Sequence, residues 1–196
     1  MSAEAGGAAL DFQRVYDEFQ PRIHRYLARL AGAAEAEDLT QETFVRVSHA
    51  LEGFRGDAAL ATWIYRIATN VATDRLRTPG FQLGVRSAEP EALAVLATVP
   101  VIEQDIARRE MSECVRAYID QLPADHRTVV VLSELEELPD RQIAEVLGIT
   151  LEAAKIRLHR ARARLRQMFE QGCDLSRDER NELTCEPRPG DVSSTA

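Results

Sequence analysis

The chain has 196 residues and a formal net charge of −8, with 45% hydrophobic and only 6% aromatic residues. That length holds one ordinary domain or two small ones, and a core of Ala, Leu, Val and Ile points to helices rather than strands. No apolar run nears the roughly 18 residues that a membrane-spanning helix needs, and MSAEAGGAALDF lacks the basic and apolar segments of a signal peptide. Cys114, Cys173 and Cys185 are too few for a disulfide scaffold and suit a reducing compartment. The expectation is an all-α protein of the cytoplasm with no membrane insertion.

Residues 9–31 predict an amphipathic helix with Phe12, Val15, Phe19, Ile23, Tyr26, Leu27 and Leu30 on its buried side. Pro21 lies inside this pattern, where it would kink or split a helix. A second helix is expected over 35–53, with Thr40, Phe44, Val47, Leu51 and Phe54 recurring at spacings of four and three. Its acidic start suits the positive end of a helix dipole. Off that stripe lie Asp38, Gln41, Glu42, Val45 and Arg46, charged and amide groups beside an apolar one. This composition fits a protein-binding surface, and equally a plain solvated face.

Gly53 and Gly56 bracket a loop, FRGDAA, that carries Arg55 and Asp57. A third helix is expected over 59–77, burying Leu60, Ile64, Ile67 and Val71. Opposite these fall Trp63, Arg66, Asn70, Thr73 and Arg77, spaced three and four apart. Aromatic rings stack on unpaired bases and guanidinium groups pair with phosphates. The same spacing also allows Trp63 to be a packing residue and the arginines to be merely solvated.

From Thr78 the pattern dissolves among Pro79, Gly80, Gly84, Pro90 and Pro100, the composition of a flexible linker. Helices are expected again over 103–121, 125–136, 140–147 and 151–171. The sequence thus divides into a helical domain over 1–78, a linker over 79–102, a second helical domain over 103–171 and an acidic tail over 172–196. The tail reads as partly disordered.

The second domain ends in PDRQIAEVLGITLEAAKIRLHRARARLR. Ile143, Ala144 and Leu147 form the apolar side of a short helix. Gly148 stands where the chain turns, and Thr150 is a good N-cap for the next helix. Leu151, Ala154, Leu158, Ala161, Leu165 and Met168 make one stripe, while Lys155, His159, Arg160, Arg162 and Arg166 fall off it. That is the layout of a helix-turn-helix whose second helix enters the DNA major groove. Charge is segregated: residues 151–171 carry six Lys/Arg against two Glu, and 172–196 carry three Arg against six Asp/Glu. Phosphate neutralisation supplies most non-specific affinity, so an acidic chain of this kind implies weak DNA binding alone and a partner that also grips DNA.

The segments AEDLTQETFVRVSHALEGFRGDAALATWIYRIATNVATDRLR (36–77) and DQLPADHRTVVVLSELEELPDRQIAEVLGITLEAAKIRLHRARARLRQ (120–167), in this order, resemble the two domains of the extracytoplasmic-function (ECF) group of the bacterial sigma-70 family. The resemblance covers about residues 10–170 and implies an alternative sigma factor that directs promoter recognition, DNA melting and stress-responsive transcription initiation. By that resemblance Asp38, Gln41, Glu42 and Arg46 would bind core RNA polymerase (β′ and β subunits), docking on the clamp helices of β′. Arg55, Asp57, Trp63, Arg66 and Asn70 would open the −10 element, and Lys155, Ile156, His159 and Arg160 would contact the −35 element. Ile156 stands where Ser is common in the family. Many relatives are held by an anti-sigma factor, which makes one a candidate partner beside promoter DNA.

The phosphodiester chemistry belongs to the polymerase, so the resemblance implies no enzyme. The competing class is a helix-turn-helix regulator that acts without polymerase; it would need a dimer interface or a sensor domain, for example a βα receiver with clustered Asp residues, and the N-terminal half shows neither strands nor such a cluster. Asp38, Glu42 and Asp74 form a conceivable metal site, though exposed helix carboxylates explain them as well. No cofactor is implied elsewhere, except that Cys173 and Cys185 leave a reversible disulfide or a shared zinc open. Two Cys are only half of the four ligands zinc takes.

Overall fold

The computed structural model describes residues 10–56, 58–78, 115–177 and 183–187. The chain forms two compact units, one from residues 1–87 with 141–149 and the other from 88–140 with 150–196.

In the first unit, α1 (Phe12–Ala31) opens with Asp11 as N-cap, its carboxylate accepting from the Gln13 N–H. Every residue of its predicted stripe is buried except Phe12, which is partly exposed. Pro21 does not split it. Pro21 is exposed, and the carbonyl it leaves without a donor belongs to Asp17, also on the exposed side, while the buried stripe continues on both sides. Gly32, at φ 90, separates α1 from α2 (Ala33–Ala50), which ends in a 3-10 turn over Leu51–Gly53. α3 is Leu60–Leu76.

The three helices pack together around Ile23, Tyr26, Leu27, Leu39, Val47, Ile64, Tyr65 and Val71, each almost wholly buried. Burial of such side chains stabilises by roughly 1.5–3 kcal/mol apiece. Tyr26 and Tyr65 meet edge to face at 5.1 Å, and the Tyr26 hydroxyl lies 2.7 Å from the Thr69 hydroxyl. The stripe of α3 departs from expectation. Leu60 and Ile67 are only partly covered, whereas Tyr65, Thr62 and Thr69 are buried. Thr69 can be interior because its hydroxyl donates to the Tyr65 carbonyl at 2.7 Å.

In the second unit, residues 115–120 are helical and lead to α4 (Ala124–Val130), whose last turn widens into a π-helical turn over Val131–Leu135. The predicted helix over 125–136 is therefore one helix with a wide final turn. The start of the predicted 103–121 helix and the linker lie outside the described residues. α6 (Leu151–Gly172) packs on α4, and Tyr118 meets Phe169 at 4.8 Å. Ala154, Leu158 and Ala161 are buried, but Leu151 is 40% exposed and Leu165 and Met168 are partly exposed, so the stripe is shorter than its sequence.

The helix preceding it, α5 (Asp140–Leu147), buries Ile143, Ala144 and Val146. Its end is closed by two bonds, Ile149 N–H to the Ala144 carbonyl (3.0 Å) and Gly148 N–H to the Glu145 carbonyl (3.3 Å), with Gly148 at φ 64. These are the paired bonds of a Schellman cap.

The tail differs from expectation. Directly after α6 the chain forms a two-stranded antiparallel hairpin, β1 (Cys173–Arg177) with β2 (Leu183–Pro187). Among the described residues the two domains are helical, as the sequence implies, and the strands lie in the tail.

Candidate nucleic-acid interface

On α2 the inner face is held by Leu39, Phe44 and Val47 together with two buried threonines. Thr40 and Thr43 donate to the carbonyls of Ala36 and Leu39 at 2.6 and 2.7 Å, so their burial leaves no hydroxyl unsatisfied. This fixes the outward direction of Asp38, Gln41, Glu42, Val45 and Arg46, all exposed. Val45 is 54% exposed among them. The charges form a lattice: Arg46 pairs with Glu42 at 2.5 Å and with Asp74 of α3 at 3.6 Å, Gln41 donates to Glu37 at 2.9 Å, and Arg75 pairs with Glu35 at 2.7 Å. Glu35 raises the Arg75 pKa through that hydrogen bond. Arg46 thus places its own positive charge between Glu42 and Asp74. Among the described residues no group of three His, Cys, Asp or Glu could hold a metal ion.

On α3 the five-residue face is presented unevenly. Arg66, Asn70 and Arg77 are exposed, but Trp63 is half-buried with its ring 5.1 Å from that of Phe54. Thr73 is turned to its own helix, donating to the Thr69 carbonyl at 2.7 Å. Phe54, which its spacing assigned to the core stripe of α2, is instead the support beneath Trp63. Its place inside the Gly-bracketed loop, one residue after Gly53, was the available signal. Arg55 is exposed at the start of that loop and Gly56 turns it at φ 76, while Asp57 lies outside the described residues.

On α6, Thr150 caps the helix by accepting from the Ala153 N–H at 3.2 Å. With Ala154, Leu158 and Ala161 inward, Lys155, Ile156, His159 and Arg160 are all exposed, as their spacing requires. Arg157 and Arg162 are different. Arg157 lies 3.9 Å from Asp125, and Arg162 is bound to Glu134 at 2.5 Å and to the Ser133 hydroxyl at 3.3 Å. Arg162 is thus a structural pair of the second unit, although sequence grouped it with the outward cations. Lys155, His159 and Arg160 have no ion pair or hydrogen bond among the described residues.

The cysteines of the tail lie on opposite strands. Cys173 is in register with Pro187 and Cys185 with Leu175, so the two are diagonal neighbours rather than direct partners. None of the described helices is long and apolar enough to cross a membrane.

Comparison with known proteins places these surfaces in a family. Residues 15–80 match the description Sigma-70 region 2, and residues 112–165 match Sigma-70, region 4. The ECF RNA polymerase sigma factor SigW of Bacillus subtilis is 34% identical over 165 residues, 81% of this chain and 88% of that protein. The RNA polymerase sigma-H factor of Pseudomonas aeruginosa is 36% identical over 152 residues, 74% and 79% of the two chains. Among solved structures, the sigma factor RpoE of Bartonella quintana, crystallised with the anti-sigma factor NepR, shares the fold with a TM-score of 0.64 at 21% identity, over 82% of this chain and 97% of that one. Both matched regions, in this order and over most of the length of such relatives, make the chain a member of the ECF group of the sigma-70 family of RNA polymerase sigma factors.

Proposed function

We propose that this sigma factor binds core RNA polymerase through the outer face of α2 and places the enzyme on promoters with two DNA-contacting faces. Asp38, Gln41, Glu42 and Arg46 ring the exposed Val45 and form the polymerase contact, an apolar centre with a charged rim. Arg55, Arg66 and Asn70, with Trp63 braced on Phe54, form the −10 face, with Asp57 assigned to it from its place in the loop. Lys155, Ile156, His159 and Arg160 form the −35 face. Base capture costs a few kcal/mol of unstacking, which stacking and phosphate contacts made together with polymerase offset. The chain supplies binding and no covalent chemistry, and it works in the cytoplasm where its polymerase is.

The observation that carries this reading is the outer face of α6, whose cations are exposed and unpaired while neighbouring Arg157 and Arg162 are occupied. The test is run-off transcription with bacterial core polymerase on a promoter library. Specific initiation is expected only with both proteins present; tight binding to duplex DNA without polymerase would favour a free-standing regulator. As RpoE of Bartonella quintana was crystallised with an anti-sigma factor, a protein inhibitor of the same kind is proposed here, to be sought by co-purification from the native cell.

The hairpin supports a narrower second reading, that Cys173 and Cys185 close a reversible disulfide. Two thiols and one peroxide molecule would give one disulfide and two waters. Diagonal strand partners have Cα atoms about 7–8 Å apart, just beyond the roughly 7 Å a disulfide bridges, so closure asks for a small slide of the strands. Promoter activity of the Cys173→Ser, Cys185→Ser double variant should lose the peroxide response of the parent. An identical response in both proteins would remove the disulfide, and a difference seen only with added zinc would point to metal instead.

A further inference from the structure

The outer face of α6 has a centre and two flanks, with Ile156 at the centre and the exposed Glu152 one turn before it. Ile156 lies roughly 140–160° around the helix from Ala154, Leu158 and Ala161, the residues that fix the inward side. It is 46% exposed. Lys155 and His159 lie to one side of it and Arg160 to the other, all exposed and without partners among the described residues. At that exposed position isoleucine, being β-branched, is a poorer helix former than Ala or Leu.

We propose that Ile156 is a specificity-determining residue that reads the C5-methyl group of a thymine in the −35 element. The inference rests on the proposed placement of α6 in the major groove. A helix lying there turns its flanks to the two phosphate walls and its centre to the base edges. Lys155 and Arg160 are the flanking groups with charge to meet phosphate. The base edges offer acceptors, donors and one apolar group, the thymine methyl. An isoleucine has nothing to give a donor or acceptor. Against guanine, adenine or cytosine it would strip water from polar atoms without replacing it, whereas against thymine both surfaces are apolar. Ile156 therefore favours thymine and penalises the other bases at one position.

The experiment uses the full chain with bacterial core polymerase. A library randomised across the −35 region is first selected by run-off transcription, and each thymine of the selected element is then replaced singly by deoxyuridine, which removes only the methyl group. At one position the replacement should lower promoter binding about fourfold, the effect of one buried methyl group. Ile156→Ala should bind the parent promoter more weakly and show no response to deoxyuridine, while Ile156→Val should retain a reduced response. Selection of an element that contains no thymine, or deoxyuridine without effect at every thymine, overturns the inference while leaving α6 as the −35 reader. A methyl response that persists undiminished in Ile156→Ala also overturns it. Specific initiation with no sequence selected in the −35 region overturns the −35 reading of α6 and this inference with it.

Discussion

The charged faces of α2 and α6 have similar density but opposite internal chemistry. On α2 the groups are committed to one another, Arg46 to Glu42 and Asp74, Arg75 to Glu35, Gln41 to Glu37. On α6 the outer cations Lys155 and Arg160 are committed to nothing within the described chain. A mutually paired lattice presents fixed polar groups at little electrostatic cost, which suits a protein surface that must fit one shape. Unpaired cations present field rather than shape, which suits phosphates and the release of their counterions. The difference also explains how a chain of net charge −8 can carry a DNA face: the six Lys/Arg of α6 outnumber its two glutamates, Glu152 and Glu170, and the nearby Glu134 and Asp125 are already paired with Arg162 and Arg157.

The strongest way to break this contrast is charge reversal on α2. Asp38→Lys with Glu42→Lys should weaken core association tenfold or more in a competition assay while the circular dichroism spectrum stays helical, since both residues are exposed. Association equal to that of the parent would remove α2 from the polymerase contact. Next comes the −10 face. Trp63→Ala should slow open-complex formation, and Phe54→Ala should reproduce part of that defect because it removes the ring beneath; a slow Trp63 variant beside an unaffected Phe54 variant would show that bracing is irrelevant.

A finer comparison sets two kinds of arginine on one helix against each other. Arg160→Ala should reduce the slope of log affinity against log salt by about 0.9, one phosphate's worth. Arg162→Ala should leave that slope unchanged and cost about 1 kcal/mol or less of stability, the worth of a half-exposed ion pair. Equal slopes for the two variants would erase the distinction between paired and free cations. The smallest effect expected is local. Thr150→Ala removes the side-chain cap of α6 and should cost about 0.5–2 kcal/mol in denaturant unfolding, with Thr150→Gly costing less.

The helices and most of their inward faces were legible in the sequence because apolar spacing is a direct projection of packing. α1 follows its pattern closely, whereas α5 buries Val146 in place of the expected Leu147, which is partly exposed. The departures have physical causes. Thr62 and Thr69 are polar residues inside the core of the first unit; the Thr69 hydroxyl bonds to the preceding turn, while the Thr62 hydroxyl is buried without a hydrogen-bond partner. Pro21 looked like a break, yet a proline on the solvent side exposes the carbonyl it frees. The hairpin was hidden because its alternation is only two apolar residues per strand, Cys173 and Leu175 then Leu183 and Cys185, within a charged tail, and a lone two-stranded ribbon is marginal by itself. Of the site, the outward directions of Asp38, Glu42, Lys155, Ile156 and Arg160 could be read from spacing. What spacing could not give was which charges were already taken, since Arg162 finds Glu134 across 28 residues of sequence and Arg46 finds Asp74 on another helix.

The glycine of the α5 cap has a consequence at the level of the gene. A Cβ added at Gly148 would meet nothing within 4 Å, so the constraint there is its φ of 64 alone. Asparagine and aspartate are the residues that best tolerate such a backbone, but from a glycine codon only aspartate is reached by a single base change. The mutation that the fold would accept most readily is therefore one that sets a carboxylate three residues before the first turn of α6, the helix proposed to face phosphate. A gene drifting at this codon would lose promoter affinity before it lost the structure.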